Sequence, residues 1–168
     1  MAKRCAGRGR SASRLPRPSY DPEGLRPRRQ AGVVSLILLD TNTVIFYLKG
    51  VEPVVAQLRA SSAREVAIPS VVAYELEYGT LKNGSPRRRA VISELLAGLT
   101  QVPFDGEAAL ETARIRIELE SRGHVIGPID LLIAGTAVSR SAVLITSNTK
   151  EFSRVKGLRL SDWTKPGR

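Results

Sequence analysis

Val33-Val34-Ser35-Leu36-Ile37-Leu38-Leu39-Asp40-Thr41-Asn42 is the stretch on which the fold turns. Residues 33–39 are apolar apart from one serine. That is the pattern of a strand buried on both faces, as in a parallel sheet covered by helices. A carboxylate then follows without a spacer. Open α/β sheets place their sites at the carboxyl ends of such strands, so Asp40 is the first candidate for chemistry.

Working outward, short apolar runs alternate with helical patterns. Residues 43–48 and 53–60 read as short helices, and 66–68 as a strand stopped by Pro69. Ser70 is positioned to cap a helix over 70–81, and Asn83-Gly84-Ser85-Pro86 reads as a turn. Residues 86–99 carry Val91, Ile92, Leu95, Leu96 and Leu99 at amphipathic spacing, and 100–104 return as a strand. The next helix shows Leu110, Ala113 and Ile117 on one side. Pro128 opens another, apolar almost all round over 131–138 and therefore expected to be buried. Residues 142–145 and 157–160 complete the strands. The alternation predicts an α/β fold in three layers, a central, mostly parallel sheet flanked by helices.

Composition narrows the chemistry. The 168 residues are 42% hydrophobic and 25% charged, ordinary for a globular chain, and no run approaches the ~18 apolar residues of a membrane span. Cys5 is the single cysteine and His124 the single histidine. Internal disulfides, cysteine zinc sites and multi-histidine metal sites are excluded, which leaves oxygen ligands and favours Mg²⁺ or Mn²⁺ for any metal. His124 lies in a glycine-rich loop and reads as a surface residue.

The formal net charge of +10 is unevenly spread. Residues 1–32 hold nine Lys/Arg against Asp21 and Glu23, and Pro16, Pro18, Pro22 and Pro27 forbid a long helix there. This stretch is expected to be a basic disordered tail, or the product of a start assigned too far upstream. Residues 33–165 form the expected domain. Arg87-Arg88-Arg89, Lys150 and Arg154 are candidate phosphate contacts.

Four polar residues interrupt apolar patterns. Asp40 ends the first strand; Glu75 shares a helix face with Val71, Val72 and Gly79; Asp130 lies in the first turn of the most apolar helix; Asn148 follows the strand at 142–145. Each has a plain structural use, as a helix cap, a dipole partner, a snorkelling side chain or a turn residue. Taken together they are expected to gather at one sheet edge. Two like charges ~4 Å apart cost about 4 kcal/mol at an effective dielectric of ~20, so a gathered set calls for protons or a divalent cation.

Leu38-Leu39-Asp40-Thr41-Asn42, Tyr74-Glu75-Leu76-Glu77-Tyr78-Gly79, Ile126-Gly127-Pro128-Ile129-Asp130-Leu131 and Thr146-Ser147-Asn148-Thr149-Lys150-Glu151-Phe152 resemble, in order, the motifs of PIN-domain nucleases. More narrowly the chain is similar to the VapC toxins of bacterial type II toxin–antitoxin pairs, over residues 36–163. The resemblance implies a PIN-like fold and a cytoplasmic, Mg²⁺-dependent (Mn²⁺ possible) endoribonuclease acting on tRNA or another structured RNA. It also implies inhibition by a cognate VapB-type antitoxin, and a homodimer. On the matching positions, Asp40, Glu75 and Asp130 would hold the metal, and Asp40, Glu75, Asp130 and Asn148 would form the catalytic set. Many PIN domains have a fourth acid where Asn148 stands, which puts a second metal ion in doubt; Glu151 is a substitute and Glu120 a weaker one.

The alternative is a catalytically weak or inactive PIN domain that binds RNA or protein, its activity lost with the acid at 148. A haloacid-dehalogenase-type phosphatase would need an acid where Asn42 stands, and no phosphate-binding glycine motif of the nucleotide-binding folds occurs.

Overall fold

In the computed structural model, residues 36–165 are described. The expectations for the tail at 1–32 and for residues 33–35 lie outside them.

Among the described residues five short strands form one sheet: β1 (Ile37–Leu39), β2 (Val66–Pro69), β3 (Thr100–Val102), β4 (Val143–Ile145) and β5 (Arg159–Ser161). Their order is β3-β2-β1-β4-β5 and every pairing is parallel. Seven helices connect them: α1 (Thr41–Leu48), α2 (Glu52–Ala60), α3 (Ser70–Asn83), α4 (Pro86–Gly98), α5 (Gly106–Ser121), α6 (Pro128–Ser139) and α7 (Thr149–Phe152). The α/β expectation holds.

The strand order creates the site. From β1 the chain steps outward through β2 to β3, then returns to place β4 on the other side of β1. The connections leaving β1 and β4 therefore diverge, and a crevice opens between their carboxyl ends. Asp40 terminates β1 and Thr146 follows β4 at this switch point. The central strands owe their position to apolar side chains with no solvent-facing alternation: Leu38, Leu39, Ile68, Leu144 and Ile145 are all buried.

Helix α6 is packed as expected, with Ile133, Ala134, Gly135, Thr136 and Ala137 buried. It lies against α5 at a point where a Cβ on Gly135 would stand 2.9 Å from the Ala108 carbonyl oxygen.

Three local readings need correction. Ser70 is not the cap of α3: Pro69 holds that place, and the Ser70 hydroxyl accepts instead from the Phe104 N–H at 3.1 Å. On α5 the inward stripe is Ala108, Ile115 and Leu119, whereas Ile117 is 68% exposed. The sequence offers two apolar stripes on this helix, and close packing with α6 selects the one containing the small Ala108. Asn148, read as a turn residue, instead precedes the single helical turn α7 at residues 149–152, to which the sequence reading assigned no element.

Candidate active site

Asp40 is both a helix cap and the deepest acid of the crevice. It caps α1 by accepting the Thr41 N–H on Oδ1 at 2.7 Å, which is the plain use expected of Asp at a strand–helix junction. Its Oδ2 accepts from the Thr146 hydroxyl at 2.7 Å, and its own backbone N–H bonds the Ile145 carbonyl. Both carboxylate oxygens are thus fixed by the ends of two adjacent strands. Burial raises the Asp40 pKa, the two hydrogen bonds oppose that shift, and the nearby Glu75 charge adds to it.

Glu75 reaches the same crevice from α3. Its Oε2 accepts from the Thr41 hydroxyl at 2.5 Å. Thr41 therefore serves Asp40 through its backbone and Glu75 through its side chain. Asp130 enters from the first turn of α6, where Gly127 makes room: a Cβ at that glycine would lie 3.2 Å from Asp130 Oδ2. The Asp130 pKa is pushed up to about 6, first by desolvation, then by the charge of Asp40, by a shared hydrogen bond and charge from Glu151, and by the charge of Glu75. Asp40, Glu75, Asp130 and Glu151 thus act on one another electrostatically.

Asn148 borders the cluster. Its Nδ2 lies 3.5 Å from Asp130 Oδ2, and its backbone N–H donates to the Thr146 hydroxyl at 3.0 Å. It supplies a neutral group, while Glu151, one turn further along α7, supplies the carboxylate. Glu151 is the residue that the sequence reading underweighted; its signal was the i+3 spacing from Asn148. The other substitute, Glu120, pairs with Arg116 at 2.7 Å on the exposed side of α5 and has no part in the cluster. His124 is exposed, and Arg154 is engaged with the Val125 carbonyl at 3.1 Å, tying α7 to the loop before Asp130.

Every carboxylate donor is an oxygen, and burial together with the neighbouring acids raises the Asp40 and Asp130 pKa values, a cost of negative charge that a hard divalent cation would relieve. Among the described residues no three acids stand close enough to enclose an ion by themselves. The residues fit Mg²⁺, which is commonly held through one or two carboxylates and keeps several waters, better than a fully caged ion.

Comparison with known proteins identifies the family and the fold. A family model described as "PIN domain" matches residues 37–158. The chain is 40% identical over 128 residues to the tRNA(fMet)-specific endonuclease VapC of Shigella flexneri, covering 76% of this chain and 97% of that protein. It is 38% identical over 127 residues to the protein of the same name from Salmonella typhimurium, covering 75% and 96%. Among solved structures, DNA-bound VapBC from Salmonella typhimurium superposes with a TM-score of 0.73 at 36% identity, over 77% of this chain and 99% of that one. VapBC2 from Rickettsia felis, bound to a DNA fragment from its promoter, gives 0.71 at 32% identity, over 76% and 98%.

Proposed function

This chain belongs to the PIN-domain family, among its VapC members, and from that premise we propose that it is the toxin of a type II toxin–antitoxin pair, an endoribonuclease that hydrolyses RNA phosphodiester bonds under divalent-cation control. The observation that carries this reading is the convergence of Asp40, Glu75, Asp130 and Glu151 at the β1/β4 switch point. Glu151 restores the negative charge absent at Asn148, so the weak or inactive alternative loses its main support.

Mg²⁺, or Mn²⁺, would be held by Asp40 and Asp130 with Glu75 behind them; when bound, it supplies the positive charge that activates a water for in-line attack and stabilises the leaving oxygen. The protein's part is preorganisation. Thr146 and the Thr41 N–H fix Asp40, so its carboxylate does not reorient during the reaction. Glu75 is held through Oε2 by Thr41, which leaves Oε1 to orient the attacking water and accept its proton. Asp130, with a pKa of about 6 in the metal-free site, gives up its proton readily once a cation is present. The Asn148 amide steadies the Asp130 carboxylate from the side.

For substrate, the names of the Shigella and Salmonella relatives make initiator tRNA the first RNA to test. The VapBC complexes point to a small antitoxin as partner, and the exposed Tyr74, Tyr78 and Leu81 of α3 form an apolar face suited to pairing with a second copy in a homodimer. Among the described residues no helix is long and apolar enough to cross a membrane; action on initiator tRNA would place the protein in the cytoplasm. The deciding experiment incubates purified chain with initiator tRNA in Mg²⁺ or EDTA. Cleavage that requires Mg²⁺ and is lost in Asp40→Asn supports the assignment; Asp40→Asn cutting as fast as the wild type defeats it.

A further inference from the structure

A groove of about 460 Å³ leads away from the acids between α1, α3 and α4. Thr41 and Glu75 stand at one end, Ile45 and Val91 line its apolar wall, and Arg87 and Arg88 stand at its rim. Six arginines among the described residues are engaged within the domain, Arg114 by Glu111 among them, whereas Arg59, Arg64 and Arg89, like the two at the rim, have no side-chain partner. Arg116, Arg122, Arg140, Arg154 and Arg159 are each engaged by a carboxylate or a backbone carbonyl. Among the described residues, the Arg87 and Arg88 guanidinium groups have no ion pair or hydrogen bond. Nor do they neutralise Glu75, which is bonded to Thr41 although it lines the same groove. The groove therefore brings one carboxylate, the Lys49 ammonium and two uncommitted guanidinium groups together around an apolar wall.

A single-stranded RNA segment has the complementary pattern. Its phosphates repeat along the backbone, and an unstacked base presents an apolar face. We propose that the groove cradles the nucleotide next to the scissile phosphate, with Arg87 and Arg88 gripping its neighbouring phosphate and the base resting against Ile45 and Val91. This rests on the nuclease reading of the acid cluster, and it adds two positioning residues.

The test uses the full-length chain and a short, fluorescein-labelled single-stranded oligoribonucleotide. Binding is measured by anisotropy in the non-cleaving Asp40→Asn background, and KM and kcat are measured in the otherwise unaltered chain. The double variant Arg87→Gln/Arg88→Gln is expected to weaken binding about tenfold and to reduce the salt slope by about 1.4, at ~0.7 per single-strand phosphate contact. Its KM rises while kcat is kept. The control Arg59→Gln/Arg64→Gln, of equal charge change at exposed positions outside the groove lining, leaves both slope and KM unaltered. An unaltered slope in the double variant overturns the cradle and leaves the groove to a protein partner. An equal loss in Arg59→Gln/Arg64→Gln also overturns it, by reducing the effect to general surface charge. RNA that the wild type binds with the arginine-dependent slope but never cuts supports the cradle and sinks the nuclease reading, so the two fail separately.

Discussion

The Thr146 hydroxyl donates to Asp40 Oδ2 at 2.7 Å across 106 residues of sequence, and both groups are buried. The same hydroxyl accepts the Asn148 N–H at 3.0 Å, so one side chain couples the end of β1 to the start of α7. Thr146→Val keeps the shape and deletes the hydroxyl. It leaves a buried carboxylate oxygen unpaired, which costs about 1–3 kcal/mol. Loss of that orientation is expected to lower cleavage by about 10–100-fold, the range for partners of metal ligands. Thr146→Ser should recover most of the rate. Cleavage assays and thermal melts of the two variants side by side check this; equal rates in Val and Ser variants would remove Thr146 from the mechanism.

The metal-free site should make the protein less stable as pH rises. Asp130 has a folded pKa of about 6 against an unfolded value near 3.8. Between these values the folded state binds more protons than the unfolded state, so stability falls as pH climbs through that window. Asp40, also raised, contributes in the same direction. Asp105 and Asp162 are lowered instead; their stabilisation is lost only as pH drops below about 3.8, outside the window. In EDTA, Asp130→Asn should flatten the decline and melt higher than the wild type at pH 7, while losing cleavage. Melting curves at several pH values decide the matter, and a wild type no less stable at neutral pH than the variant contradicts it.

Gly135 on α6 is expected to tolerate no side chain. An added Cβ would meet Thr112 Oγ1 at 1.9 Å, and also the backbone at the Ala108 oxygen and Thr112 Cα, both at 2.9 Å. Rotating Thr112 relieves only the first conflict, so α5 and α6 must part. Gly135→Ala should cost about 1–3 kcal/mol as an overpacked core does. Because Asp130 rides on α6, RNA cleavage should fall along with the melting temperature. A variant that melts and cleaves like the wild type would show that the two helices are free to separate.

Much of the site was legible because charge is conspicuous against an apolar pattern. Asp40 ends an unbroken run, and Asp130 opens the most apolar helix, so each stood out without knowledge of its neighbours. Glu151 did not. A single helical turn is too short for hydrophobic periodicity to reveal which way its side chains point, and Thr149–Phe152 is one turn. On α5, spacing alone supported both the Leu110/Ala113/Ile117 stripe and the Ala108/Ile115/Leu119 stripe. The choice between them depends on Gly135, which is distant in sequence and admits the small Ala108 side of the helix. The strand order was likewise beyond local reading, because parallel neighbours such as Leu38 and Leu144 pair across more than a hundred residues.

Charge count at the site can be separated from charge position through Asn148 and Glu151. Asn148→Asp replaces a donor beside Asp130 with a further negative charge, which should drive the Asp130 pKa still higher and lower the metal-free melting temperature at neutral pH. The gain in melting temperature on adding Mg²⁺ should grow correspondingly, because the cation then relieves more repulsion. Glu151→Gln should do the reverse: it removes one of the charges acting on Asp130, raises metal-free stability, shrinks the Mg²⁺ response and slows cleavage. The combined Asn148→Asp/Glu151→Gln variant restores the number of carboxylates while moving one of them from α7 to the residue that caps it. If number governs, the combined variant recovers cleavage relative to Glu151→Gln alone; if position governs, it stays slow despite an undiminished Mg²⁺ response. Should Glu151→Gln leave both the rate and the Mg²⁺ response untouched, Glu151 has no part in the site, and Asp40, Glu75 and Asp130 suffice.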